Sequence, residues 1–167
     1  RPLIVAGSGT FHGLASRQLA AFASTYAVPI AVPIWDRGCV PEARAEYIGV
    51  LGAASGGPRL LEDADLLLLL GAAADYRLGY LESPPLDMAA AVIRVDVDPE
   101  RLYHMGRAEL SVLAEPGPFL QGLQDACLAA QVDGFEGWLR EVMARKGAWE
   151  TRVRAVARAA PGDDRLH

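Results

Sequence analysis

The sequence predicts an α/β fold in which one parallel β-sheet is covered by helices on both faces. Six short apolar runs recur along the 167 residues, and several are apolar almost throughout, as strands buried on both faces are. The composition, 51% hydrophobic and 22% charged, suits one sizeable core. Strands that alternate with helices predict a doubly wound, three-layer sheet of about six parallel strands, with a ligand crevice at their carboxyl ends.

Each predicted strand is a run rich in Val, Ile, Leu and Ala. The runs lie at residues 2–7, 28–34, 47–52, 65–71, 91–98 and 110–115. The helix expected between the first two strands carries an apolar stripe at helical spacing. Its members are Leu14, Leu19, Phe22, Ala23 and Tyr26. Because proline suits the first position of a helix, we also expect a short helix from Pro58 through Ala64 and another from Pro99.

From Pro116 onward the pattern is helical only, and it predicts helices over residues 116–131 and 135–160. Each carries a stripe of residues expected to pack against the sheet. The first stripe is Phe119, Leu123, Ala126 and Cys127, and the second is Trp138, Val142, Trp149 and Val153.

Charge and cysteine usage exclude several classes of protein. The net charge is −5 and no basic cluster is present, so the electrostatic footprint of a nucleic-acid-binding protein is missing. The longest apolar run, after Asp65, is too short to cross a membrane. Cys39 and Cys127 show neither a disulfide framework nor a zinc spacing. We therefore expect a soluble, cytoplasmic protein that binds neither nucleic acid nor membrane.

The loop after the first strand contains Gly7, Ser8, Gly9 and Gly13. Its Gly-x-Gly-x-x-x-Gly spacing is one residue longer than the dinucleotide fingerprint. The loop either brings its backbone to a phosphate or forms a tight strand-to-helix turn without a ligand. Asp36 follows two prolines and a loop, a poor position for an acid that binds ribose, which argues against an NAD-dependent dehydrogenase.

Further polar residues follow the fourth and fifth strands, at the predicted crevice. Asp96 and Asp98 precede Pro99, so Asp98 is expected to cap a helix and Asp96 is the better ligand for a ribose or an adenine. Gly71, Asp75 and Arg77 follow the fourth strand, where Arg77 either binds a phosphate or pairs with Asp75. The sequence thus predicts a binding crevice.

The sequence shows no reaction centre. His12 and His104 have no partner at the spacing of a metal site or a catalytic triad, and we interpret them as surface or capping residues. No arrangement of the Ser-His-Asp, Cys-His or paired-carboxylate type emerges. The chain begins at Arg1 directly before a strand and ends in a polar tail, so we expect it to be a piece of a longer protein.

Four segments together carry a resemblance to a known family. "RPLIVAGSGT", "VPIAVPIWDRGCVPEARAEYIGVLG", "LLEDADLLLLLGAAADYR" and "VIRVDVDPERL" are similar, in order and spacing over about residues 1–115, to the central domain of thiamine-diphosphate-dependent enzymes of the acetolactate synthase type. The resemblance implies a Rossmann-like sheet of the DHS-like NAD/FAD-binding type. It also implies a boundary between a central domain, residues 1–130, and a helical extension, residues 131–167.

The resemblance further implies that thiamine diphosphate and Mg²⁺ are bound by two flanking domains, one for the pyrimidine and one for the diphosphate. The whole enzyme would make or break a carbon–carbon bond in 2-keto acids or 2-hydroxyacyl compounds, as a synthase, transferase, lyase or decarboxylase. It would be a homo-oligomer, a dimer or a tetramer. The catalytic glutamate and the Gly-Asp-Gly metal motif belong to the flanking domains, so this domain alone is expected to be inactive, with no catalytic or metal-binding residue of its own.

Some members of the family hold FAD or ADP in the central domain. The matching positions here are Gly7, Ser8, Gly9, Pro33, Ile34, Gly52, Ala53, Ala54, Ser55, Gly71, Asp75, Arg77, Asp96 and Val97. Ala53 and Ala54 replace a methionine and a histidine of the family pattern, and Ala73 replaces an arginine that could reach a diphosphate. We therefore favour a purely structural domain without a bound nucleotide over a domain that binds FAD. Arg77 and Asp96 leave a nucleotide- or flavin-binding module as the alternative.

Overall fold

The computed structural model describes residues 1–36, 38–40, 44–51, 60–82, 86–103 and 106–159. Within these residues the strands form one six-stranded sheet, and every strand pair in it is parallel. The strands are β1 Pro2–Ala6, β2 Ile30–Pro33, β3 Tyr47–Leu51, β4 Leu66–Leu70, β5 Ala91–Asp96 and β6 Leu110–Leu113. All six predicted strands are thus confirmed, and so is the α/β fold class.

The strand order is β3-β2-β1-β4-β5-β6, the doubly wound order in which the chain direction across the sheet reverses between β1 and β4. Ile4 of β1 lies opposite Leu68 of β4, and all five residues of β1 are buried. The loops that follow β1 and β4 therefore leave the sheet side by side, and this pair of loops opens the crevice.

The helices are α1 Ser8–His12, α2 Ser16–Tyr26, α3 Pro99–Tyr103, α4 Pro116–Ala129 and α5 Glu136–Ala159, with a 3₁₀ helix at Tyr76–Leu81. On one face of the sheet Leu3 and Leu67 pack with Trp138 and Val142 of α5. On the other face the neighbouring strand positions pack with α2 and α4. Both faces of the central strands are covered, which explains their continuous apolar runs.

The predicted first crossover helix is two helices, because the chain turns at Leu14. Leu14 adopts a left-handed backbone conformation (φ 53°) and is 83% exposed, so its place in the packing stripe was wrong. The other four stripe residues are buried. The helix predicted to end at Ala64 is also corrected: residues 61–63 form a turn, while Pro58 lies outside the described residues.

The two C-terminal helices pack over only part of their length. Phe119, Leu123 and Cys127 of α4 are half-buried, but Ala126 is exposed. In α5, Trp138 and Val142 are buried, whereas Val153 is 46% exposed and does not belong to a packed stripe. Along the described residues no helix combines the length and the apolar character needed to span a membrane. The division of the chain at residue 130 stays a prediction.

Candidate functional site

The loops after β1 and β4 cross in direct backbone contact. The Gly7 N–H donates to the Leu70 carbonyl (3.0 Å), and the Gly9 N–H donates to the Gly71 carbonyl (2.9 Å). A Cβ on Gly7 would stand 2.3 Å from the Gly71 oxygen, and one on Gly71 would stand 2.7 Å from the Gly9 Cα. Gly71 also needs a left-handed backbone (φ 58°). These glycines therefore let two backbones pack together.

Arg77 joins the loops after β2 and β4 through an ion cluster that we define as Asp36, Asp75 and Arg77. Its Nη1 donates to the Ile34 carbonyl (2.9 Å) and lies 3.3 Å from Asp36 Oδ2. Its Nε donates to Asp75 (3.0 Å), and its Nη2 lies 3.0 Å from the same carboxylate. Four of the five N–H donors that a guanidinium carries are therefore directed at groups of the protein. Of the two partners predicted for Arg77, the structure shows Asp75, and it adds Asp36.

The Asp36 carboxylate sits in a largely closed environment, with its side chain 10% exposed. Burial raises the pKa of Asp36, and the Arg77 charge and a hydrogen bond from the Ser8 N–H oppose that shift. The hydrogen bond with Asp75 raises the pKa of Arg77. The Arg77 charge and the Ser8 N–H thus offset part of the free-energy cost of burying this carboxylate.

Cys39 supports the same loops from beneath. Its thiol is fully buried, and its Sγ lies 3.0 Å from the carbonyl oxygens of both Gly7 and Asp36, which share its single S–H donor. Burial, with a smaller effect of the Asp36 charge, raises the pKa of Cys39 to about 11. Because the thiolate is the nucleophile, this thiol is a structural group and not a reactive one.

We expect Cys39 to resist alkylation while the protein is folded. With a pKa of about 11, roughly a thousandth of the thiol is ionised at pH 8. In the folded protein, iodoacetamide should label half-buried Cys127 slowly and Cys39 more slowly still, as followed by mass spectrometry. In guanidinium chloride both cysteines should react at the rate of free cysteine. Labelling of folded Cys39 at the denatured rate would contradict this placement.

The end of β5 carries the two predicted acids in different roles. The Asp98 carboxylate accepts from the Glu100 N–H (2.9 Å) and caps α3, as expected. Asp96 is 5% exposed; one of its oxygens accepts from the Asp98 N–H (3.0 Å), and Oδ2 has no hydrogen-bond partner among the residues that the structure describes. Arg94, two positions earlier on β5, is also buried and donates to backbone carbonyls of Arg101 and Gly106.

A cavity of about 690 Å³ opens between the loop after β4 and α3. It is lined by Ala73–Asp75, Asp98, Glu100, Arg101 and Tyr103. Among the described lining residues three are carboxylates and one is a cation, and Asp98 already lies 3.7 Å from Arg101. The lining is therefore acidic on balance.

The structure places the described members of the predicted site at one edge of the sheet. Pro33 ends β2, Ile34 follows it and accepts from Arg77, and Val97 is 56% exposed after β5. Gly52 and Ala53 lie outside the described residues. A cofactor-binding role for any of these residues stays a prediction.

Sequence reasoning assigned Asp36 no binding role, because it weighed that residue only as a ribose ligand. The available signal was its position directly after β2, at the edge where Arg77 was expected. Within the described ranges no three His, Cys, Asp or Glu side chains cluster as a metal site would require.

Comparison with known proteins decides the family. The sequence-family model described as "Thiamine pyrophosphate enzyme, central domain" matches residues 1–123 of this chain. The chain belongs to this family. The matched range covers all six strands and ends inside α4, so the match and the sheet describe the same unit.

Relatives of this central domain are much longer proteins. "Probable acetolactate synthase large subunit" of Methanocaldococcus jannaschii is 25% identical over 145 residues, which is 85% of this chain and 24% of the relative. The acetolactate synthase large subunit of Parasynechococcus marenigrum is 26% identical over 166 residues, 97% of this chain and 26% of the relative. The chain thus spans about a quarter of the length of these curated relatives.

A solved structure shares the fold of this central domain. The thiamine diphosphate-dependent 4-hydroxybenzoylformate decarboxylase of Rhodococcus jostii RHA1 superposes with a TM-score of 0.64 at 24% identity, over 75% of this chain and 24% of that chain. At this identity the likeness shows the fold alone.

Proposed function

We propose that this chain is the central, structural domain of a thiamine-diphosphate- and Mg²⁺-dependent enzyme, a synthase, lyase or decarboxylase that acts on 2-keto acids or 2-hydroxyacyl compounds. The observation that carries the proposal is the family match over the complete six-stranded sheet. Thiamine diphosphate, when bound, supplies an electron sink for carbon–carbon chemistry next to a carbonyl. The domain itself packs between the domains that bind it and contributes no catalytic group.

The hydrogen-bond donors at the crevice already have partners within the protein, which supports a structural role over a flavin-binding one. A flavin or an ADP brings a diphosphate, which needs free N–H groups or cations. Here the Gly9 N–H is used by Gly71, the Ser8 N–H faces the Asp36 carboxylate, and Arg77 is engaged by the two acids. The described residues of the glycine loop therefore do not fit a diphosphate.

A second candidate is a module that binds ADP or FAD in the cavity beside α3. One observation favours it: at the end of β5, near but not in the lining of that cavity, Asp96 Oδ2 is buried without a hydrogen-bond partner among the described residues, and a ribose hydroxyl or an adenine amino group would satisfy it. The acidic lining of the cavity favours the sugar or the base of a nucleotide and opposes its phosphates.

We expect the purified chain to be inert as a catalyst. Incubated with thiamine diphosphate, Mg²⁺ and pyruvate, it should consume no pyruvate above a protein-free blank, because the family resemblance assigns the catalytic glutamate and the metal motif to the flanking domains. A longer acetolactate synthase assayed in parallel serves as the positive control. Measurable carboligation by the chain alone would overturn the structural role.

The coding sequence on either side of the chain tests the family role independently of any assay. We expect a Gly-Asp-Gly metal motif with a downstream asparagine after residue 167. An uninterrupted reading frame that lacks this motif would contradict the proposed thiamine diphosphate chemistry.

A further inference from the structure

Three loops meet at the crevice: the glycine loop after β1, the loop after β2 and the loop after β4. In a nucleotide-binding sheet of this type an anion of the ligand sits against such a glycine loop. In this chain the Asp36 carboxylate lies beside that loop, since the backbone N–H of Ser8 lowers the pKa of its carboxyl. Asp36 also pairs with Arg77 from the third loop, where Arg77 Nη1 lies 3.3 Å from Asp36 Oδ2.

We propose that Asp36 is a built-in substitute for a ligand phosphate, so that this domain closes its crevice and holds its loops together without a bound nucleotide. The carboxylate supplies the negative charge that balances Arg77 and accepts from the glycine loop. The two side chains are only 10% and 13% exposed, so the ion pair is shielded from solvent and resembles a bound anion more than a surface salt bridge.

The contacts around Asp36 show that the arrangement is built and not incidental. Its backbone carbonyl shares the single S–H donor of the buried Cys39 thiol with the carbonyl of Gly7. Its own N–H donates to the Pro33 carbonyl (3.0 Å), which fixes the turn after β2. Arg77 binds the carbonyl of Ile34 in that same turn. The carboxylate is therefore positioned from both sides.

A second anion at this place would meet two obstacles. It would displace Asp36 from its donors and leave a buried carboxylate without a partner, which is costly. It would also approach Asp75, which already binds Arg77. The crevice thus rejects an anionic ligand at the glycine loop by charge as well as by occupancy.

The inference rests on the structural role proposed above and adds the residue responsible for it. Its test is separate: a melting-temperature change on adding a nucleotide would overturn the role of Asp36 and leave the family assignment intact. Turnover by the isolated chain would overturn the proposed inertness and leave the ion cluster intact.

The experiment compares the melting temperatures of the wild-type chain, Asp36→Ala and a control, Asp63→Ala. Asp63 also pairs with an arginine, Arg145, but about a third of each side chain is exposed and the pair lies away from the three loops. Sodium acetate and inorganic phosphate are each compared with sodium chloride at equal ionic strength, and ADP and FAD are titrated separately.

We expect ADP and FAD to leave the wild-type melting temperature unchanged. Asp36→Ala should melt several degrees lower, and acetate or phosphate should restore part of the loss, because the small anion refills the place that the carboxylate left. Neither the wild type nor Asp63→Ala should respond to these anions beyond the chloride reference.

Two results would overturn the proposal: a rise of the wild-type melting temperature with ADP or FAD, or an Asp36→Ala variant whose response to anions equals that of the wild type. If Asp36→Ala does not fold, Asp36→Asn keeps the size and an acceptor for Ser8 but removes the charge. It should then lose clearly more melting temperature than Asp63→Asn, and an equal loss would count against the proposal.

Discussion

Replacing Gly71 with alanine is expected to lower the free energy of unfolding by roughly 2 to 5 kcal/mol, which is the sum of a left-handed backbone penalty and of overpacking. Gly71 has a φ of 58°, and its added Cβ would lie 2.7 Å from the Gly9 Cα and from the Thr10 nitrogen. These neighbours are backbone atoms of the opposing loop, so no side chain can rotate away. Denaturant unfolding followed by circular dichroism measures the change.

Gly122→Ala is the matched control for Gly71→Ala. Gly122 lies inside α4, and a Cβ there would meet nothing within 4 Å. Alanine is the better helix former, so this variant should gain about 0.5 to 1 kcal/mol. Equal stability of the two variants would show that the loops after β1 and β4 are not packed as described.

Replacing Trp138 with alanine is expected to cost about 3 to 5 kcal/mol, the usual range for removing a buried aromatic side chain. Trp138 is 7% exposed, joins the core between the sheet and α5, and donates from its indole N–H to the Pro2 carbonyl (2.9 Å). Its loss therefore leaves a cavity and an unpaired carbonyl at the start of β1. Urea unfolding of the purified variant measures the cost.

Two further variants separate the causes of the Trp138 effect. Trp138→Phe keeps most of the apolar contact and removes the N–H, so it should cost about 1 to 3 kcal/mol. Trp149→Ala, on the less packed part of α5, should cost clearly less than Trp138→Ala because Trp149 is only half-buried. If Trp149→Ala proves as costly as Trp138→Ala, then α5 is held along its whole length and not mainly by its first turns.

The strands were predictable because their signal is local. Leu66–Leu70 lies in the middle of the sheet, where both faces are covered, and a run of five leucines can satisfy that environment only as a buried strand or a short buried helix. The proline and glycine residues beside such runs then favour the strand. The same reasoning identified the Asp98 cap, since a cap and its helix are neighbours in sequence.

The errors arose where a distant or unusual contact decides the local conformation. The break at Leu14 depends on a left-handed residue that is not glycine, for which the sequence carries no signal. The distal part of α5 has an apolar stripe, but Val153 on that stripe is 46% exposed. A helical period states which residues share a face and not whether another element covers it.

The sequence by itself determined the fold class, the family resemblance and the edge of the sheet where polar residues gather, because each depends on patterns a few residues long. Only the tertiary structure decided what happens at that edge. Asp36 and Arg77 lie 41 positions apart in the sequence. They meet because β2 and β4 flank β1 in the sheet, so the loops that follow these two strands lie on either side of the glycine loop after β1. Distance and burial decide whether an arginine is available to bind a phosphate or is already paired with a carboxylate. Neither quantity can be inferred from the local sequence.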